Sequence, residues 1–409
     1  MKKVLVVFLV LFLFISLVAC SSPSPTPSPA PAPTTVAQAP TTAAPPASPG
    51  PKPTTASPTA SPTPTAAPPK PVEITYANPN SITDSQFWVN SVKPWGEAVA
   101  KDWPGFTVKA YHDGSLLKSQ EVAEGVKNGI GASGLMQLPY WPKLFPANNV
   151  SNTRIFGMDS YETVLTARII WTQFSPFTDE LDKEGIVSLF AIATAPVHII
   201  TKKPVSVLDD LKGQRIRTAG SGTAAVVEGS GAATVAMGIS EVYEAIQRGV
   251  IDGAATILPS MRDAQYSKLA KYIVYMGAAG ALNSGIIIGF NANVWKGLPA
   301  DLKKIMVQQA QKREGEFARF FVQDEQAALD TMIKQDGVQL VEFSEAEMRQ
   351  WQSNARDMFA EWAASVEPQG IPGNAIVARI KEVVALPLAE KEKLWEEAWQ
   401  KYSAYLLSR

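Results

Sequence analysis

From Ser21 to about Lys70 the chain is almost entirely Pro, Thr, Ser and Ala, without one aromatic residue, and this tract decides how much of it can fold. Such a composition cannot bury enough apolar area to offset its chain entropy, so the tract is expected to stay disordered. Its prolines favour extended polyproline II at ~3.1 Å per residue, a reach on the order of 150 Å. Folding is left to residues 71–409, about 340 residues, enough for one large domain or two lobes.

Ahead of the tract, Met1-Lys2-Lys3 supplies a positive start and Val4 to Ala19 an apolar core too short for a comfortable bilayer span. The run closes on Leu17-Val18-Ala19-Cys20, and Cys20 is the only cysteine. A small residue before a cysteine at the cut site resembles the lipobox of bacterial lipoproteins. That resemblance implies a signal peptide over residues 1–20, lipidation of Cys20, and an extracytoplasmic protein tethered to a membrane by a spacer over residues 21–70. An ordinary secretory signal or an uncleaved anchor would share the charge and length. With its one cysteine lipidated, the chain has no intrachain disulfide, so packing must stabilise the fold. The formal charge is −1, with no basic stripe to suggest nucleic acid and no further apolar run long enough for a second span.

The folded part alternates strands and helices. Glu73 to Ala77 and Thr107 to Tyr111 alternate polar and apolar as half-buried strands do. Between them Phe87 to Trp103 has helical spacing and stops at Pro104-Gly105; a second helix runs through Ser119 to Gly129. Gly285 to Phe290 suits a buried strand, Pro299 to about Gln335 reads as one long helix, and Ser344 with Glu347 forms a capping box. The order argues for an α/β fold with right-handed crossovers, ending in helices.

Two segments carry a family resemblance: Asp209-Asp210-Leu211-Lys212-Gly213-Gln214-Arg215-Ile216-Arg217, and Ser240 to Gly253 with its Ser-Glu-Val-Tyr opening. With Tyr111 to Leu117, Glu124 to Gly129, Leu258-Pro259-Ser260 and Asn291 to Leu302 in register, the chain resembles the dicarboxylate-binding type of solute-binding proteins from tripartite ATP-independent periplasmic (TRAP) transporters. The resemblance implies a two-lobed periplasmic-binding-protein-like clamshell, with a mixed sheet in each lobe and long spanning and C-terminal helices. Lobe I is expected at about 71–195 and 283–325, lobe II at about 196–282 and 326–409. It implies a small organic acid held between the lobes, hinge closure, and delivery to ion-driven membrane permease subunits; no cofactor or metal is implied.

Arg217 is the leading site candidate. A guanidinium offers a planar fork that matches a carboxylate bidentately, and the resemblance implies that an arginine here clamps the ligand. Arg215 is expected to point the other way on its strand. The family's second arginine, some twenty residues earlier, is missing from Pro196-Val197-His198-Ile199. Ile239 stands where an aromatic residue is usual, and Thr256 where an asparagine is. These departures suggest a ligand with one carboxylate and a less polar remainder. In the first lobe Asn78, Gln137 and Tyr140 follow strand ends, where α/β clefts open. Trp141 and His198 could serve the cleft or the packing, while Tyr243 and Glu241 are expected to pack at a helix start. An enzyme would need a nucleophile, paired carboxylates or a metal set in one place, and none is evident. A ligand-sensing lipoprotein of the same fold remains open beside transport.

Overall fold

Half-buried alternation makes Val72–Ala77 (β1) and Phe106–Tyr111 (β2) a parallel pair, and everything else in the first lobe is laid around them. The computed structural model describes residues 70–409 apart from 81, 83–84, 157, 193–194 and 281–284. The signal segment, Cys20 and the Pro/Thr/Ser/Ala tract therefore lie outside the described residues. The remaining strands in chain order are β3 (Ser133–Gln137), β4 (Arg154–Phe156), β5 (Ile186–Ala191), β6 (Val197–Thr201), β7 (Arg215–Thr218), β8 (Ala233–Ala236), β9 (Gly253–Ile257), β10 (Tyr272–Gly280), β11 (Ile286–Asn291) and β12 (Gln339–Val341).

They form two mixed sheets. The first runs β2-β1-β3-β11-β5; the second runs β12-β10-β6-β9-β7-β8, with β4 antiparallel to β10. The chain passes between sheets after β3, β4, β5, β10 and β11, so several segments cross between two lobes. The clamshell expectation is met. Among the described residues no helix is long and apolar enough to cross a membrane.

The long helix read from Pro299 onward is Ala300–Asp336. Pro299 at its N-cap position needs no amide partner there, and Gly337 closes it at φ 65°, a left-handed value that glycine adopts without strain. Met306, Phe317 and Phe321 lie in the first lobe's core, whereas Ala328, Leu329 and Met332 lie in the second's. One helix thus spans both lobes. The Ser344–Glu347 capping box is present, opening Glu345–Asn354, whose buried Trp351 donates to Val226 O at 2.7 Å and seats that helix on the second lobe.

The last three helices, Met358–Val366, Gly373–Val384 and Leu388–Ser408, correct the expected lobe boundary. The sequence places residues 326–409 in lobe II, yet Trp362, Ile376, Trp399 and Tyr402 join the first lobe's core. Directional bonds fix the docking: Trp362 Nε1 donates to Pro146 O (2.9 Å), Tyr402 Oη to Ser188 O (2.6 Å), and Trp295 Nε1 to Leu406 O (3.0 Å).

At the centre of this packing, Arg168 donates to Glu314 through Nε (3.1 Å) and Nη2 (2.6 Å), with both side chains essentially unexposed. The amide of Ala191 (2.8 Å) and Nε1 of Trp399 (3.0 Å) also donate to Glu314, and the guanidinium lies 4.0 Å from the centre of the Tyr402 ring. A buried ion pair survives only when its lone pairs are satisfied in this way.

Candidate binding cleft between the lobes

Where the crossing segments meet, a cavity of about 300 Å³ opens between the lobes. Gln137, at the end of β3, and Tyr140 line it from the first lobe; Thr256 on β9, Thr223 and Ser260 line it from the second. Pro139, Ala195, Val197, Ala219, Ala255, Ile257 and Ile286 make much of the wall apolar, and among the described residues no Asp or Glu lines it. Phe87 contributes from a π-helical turn, Ser85–Val92, a geometry often found at functional sites.

Two glycines let the walls close up. A Cβ on Gly222 would sit 1.7 Å from Asn152 O, and one on Gly285 would sit 2.4 Å from Ser151 Oγ. Gly222 lies in the first turn of helix Ser221–Gly229, whose N-cap, Gly220, provides no side-chain cap and faces the cavity. The positive end of that helix therefore favours an anion in the cleft.

Arg217 stands on β7, two residues before Ala219 of the cleft wall, and is 4% exposed. Its Nε donates to Met237 O at 3.0 Å; among the described residues its terminal nitrogens have no partner and no carboxylate pairs with it. Burial lowers its pKa, while the Tyr266 and Tyr140 hydroxyls beside it favour the charge. Arg217 itself is not among the residues that line the cavity, although Tyr140, whose hydroxyl favours its charge, is. Arg215 corrects an expectation. Residues two apart share a face of a strand, so it emerges on the same side as Arg217, but at the far end, where it binds Asp252 and Gly249.

The sequence reading missed Arg154. This arginine lines the same cavity, with Nη1 donating to Ser151 O (3.4 Å) and Nη2 to Thr223 Oγ1 (3.2 Å). Its Nε is buried without a partner, and burial brings its pKa down to about 10. The contrast with the other arginines is sharp. Ten of the twelve hold a carboxylate within 4.0 Å: 168, 215, 248, 262, 313, 319, 349, 356, 379 and 409. Among the described residues only Arg154 and Arg217 have none; Arg154 lines the cleft, and Arg217 stands two residues before its wall.

Other candidates sit elsewhere. Asn78 is fully buried, its Nδ2 2.9 Å from His112 Nδ1 and its Oδ1 accepting from Asn80 N (3.2 Å), and it does not line the cavity. Its amide is spent on the turn after β1. Ile239 is 50% exposed and off the cavity; only its carbonyl is used, accepting from Tyr266 Oη at 3.1 Å. Trp141 donates to Gln120 O (3.2 Å) beside a separate first-lobe groove. Tyr243 packs on the second lobe's core, as expected; Glu241 is exposed at the preceding turn.

His198 lies behind the cleft, wholly buried, 3.4 Å from Glu325 of the spanning helix and stacked on Tyr275. Glu325 borders a second interlobe cavity with Asp159 and Glu162. Burial, then repulsion from Asp159 and Asp324, pushes Glu325 up to about 8; burial pulls His198 down to about 3. Below pH 6.5 the unfolded chain protonates this histidine and the folded one does not, so acid destabilises. Between pH 6.5 and 8 the folded chain holds a Glu325 proton that the unfolded chain has released, so stability falls as pH rises, by about 2 kcal/mol. Glu325→Gln is expected to flatten that fall in urea titrations at the two pH values; an unchanged slope would rule Glu325 out as its source.

A family model described as DctP, bacterial extracellular solute-binding protein, family 7, matches residues 80–365. A solute-binding protein of Sulfitobacter sp. (strain NAS-14.1) is 26% identical over 191 residues, 46% of this chain and 52% of that protein. The chain thus spans about half the length of this curated relative. Among solved structures, a TRAP periplasmic solute-binding protein from Desulfovibrio salexigens shares 24% identity at a TM-score of 0.68, covering 77% of this chain and 96% of that one. A TRAP solute-binding protein from Rhodoferax ferrireducens, solved with copurified benzoate, shares 19% identity at a TM-score of 0.67, covering 79% and 99%. At these identities the structures establish the fold alone.

Proposed function

Because this chain belongs to the DctP family of bacterial extracellular solute-binding proteins, the binding components of TRAP transporters rather than enzymes, we propose that it captures a small organic acid between its lobes, with Arg217 as the carboxylate clamp. The observation that carries this reading is Arg217 itself: a buried guanidinium with no carboxylate partner among the described residues, two residues before the wall of a cavity that no described acidic residue lines. Burying an unpaired charge is costly, and a ligand carboxylate received bidentately offsets that cost. Gln137, Tyr140 and Thr256 supply hydrogen bonds around it, and the apolar wall suits the acid's carbon skeleton. Closure about the crossing segments would sequester the acid before its delivery to the membrane subunits of a permease.

Mass spectrometry of small molecules released on denaturing the purified protein tests this. A carboxylic acid at close to one per chain is the expected result; a neutral or cationic molecule would sink the reading.

The extracytoplasmic setting of the family agrees with a proposed tether. In this reading residues 1–20 are the signal peptide, residues 21–70 the spacer and residues 71–409 the binding domain, with lipid chains on Cys20 holding the protein at a membrane. Lipid contributes about 0.8 kcal/mol per buried methylene, so a multiply acylated cysteine stays bound. Cys20→Ser should move the protein from the membrane fraction to the soluble one with unchanged ligand affinity. Persistent membrane association would refute the anchor.

A further inference from the structure

We infer that Arg154 is a specificity residue, receiving a second oxygen acceptor on the far part of the acid whose carboxylate Arg217 holds. The inference rests on the carboxylate reading above and adds the class of ligand: an organic acid bearing a carbonyl, hydroxyl or further carboxylate oxygen away from its first carboxylate. Arginines built for structure in this chain are recognisable, as Arg168 with Glu314 and Arg262 with Asp324 show. Arg154 lines the cleft without any such partner, and its buried Nε has no acceptor.

The side chain is nevertheless held. Ser151 O on a crossing segment and Thr223 Oγ1 on the second lobe fix the fork from two sides, so little rotamer freedom is left to lose on binding. Two neutral acceptors orient a guanidinium without neutralising it. Desolvation already lowers its proton affinity, which marks a cation short of a counter-charge. An acid with an apolar far end would offer the Arg154 guanidinium no acceptor, and the cleft would discriminate against it.

Thermal-shift and calorimetric titration of the full chain with three matched pairs tests this: benzoate with 3-hydroxybenzoate, cyclopentanecarboxylate with pyroglutamate, and butyrate with succinate. In at least one pair the oxygenated member should bind the wild type about tenfold or more tightly. Arg154→Gln should erase that preference while retaining binding of the plain acid, Arg154→Lys should keep part of it, and Arg217→Ala should abolish binding of both members. Plain acids bound as well as oxygenated ones, or a preference that survives Arg154→Gln in a protein with a wild-type circular dichroism spectrum, would overturn the inference and leave Arg217 capture intact. Binding by no acid of any pair would overturn both.

Discussion

Replacing Arg217 with alanine is expected to weaken binding of the copurifying acid by roughly a hundred- to ten-thousandfold, as read by calorimetric titration. Two charge-assisted hydrogen bonds in a desolvated cleft are each worth about 1.5–3 kcal/mol, and every 1.4 kcal/mol is a factor of ten. Arg217→Lys should recover only part of the loss, since an ammonium is a point donor and cannot present the fork. The ligand-free protein tells a different story. Arg217 is buried without a counter-ion among the described residues, so removing its charge should leave the unliganded fold as stable as before or more so. Affinity lost with stability kept distinguishes a binding residue from a structural one; equal loss of both would make Arg217 part of the packing.

The opposite balance is expected at Glu314. Glu314→Ala strands the Arg168 guanidinium in the core and removes the acceptor of the Ala191 amide and the Trp399 indole. Breaking a buried pair by deleting one partner costs about 3–5 kcal/mol, and urea unfolding should show a loss of that size. The double replacement Arg168→Met with Glu314→Leu should be far less damaging, because no uncompensated charge remains. A double variant as unstable as the single one would mean that the loss comes from packing rather than from the stranded charge. Because this pair ties the spanning helix to the C-terminal helices and to β5, its loss should destabilise the first lobe without altering the chemistry of the cleft.

Much of this was legible in the sequence, for reasons that also explain the misses. Pro299 and the periodicity behind it give the spanning helix because those signals are local. Gln137 and Tyr140 fall at the cleft because strand ends in α/β folds open there, whichever side chain occupies them, and Thr256 falls there as the family resemblance implied. The same rule misled at Asn78, where the strand ends correctly but His112, thirty-four residues on, claims the amide. Arg154 left no signal: β4 is three residues long and pairs only with β10, more than a hundred residues later, so neither periodicity nor spacing marks it. Nor could the apolar faces of the last three helices say which sheet they would cover; Trp362 and Tyr402 decide that through bonds to distant carbonyls.

A crystal structure of the protein with its copurified acid tests capture by Arg217 most directly. The ligand's carboxylate should sit on the two terminal nitrogens of Arg217 at about 2.7–2.9 Å, with both lobes closed on it. A bound acid whose carboxylate rests elsewhere in the cleft, with those nitrogens still unpartnered, would contradict it.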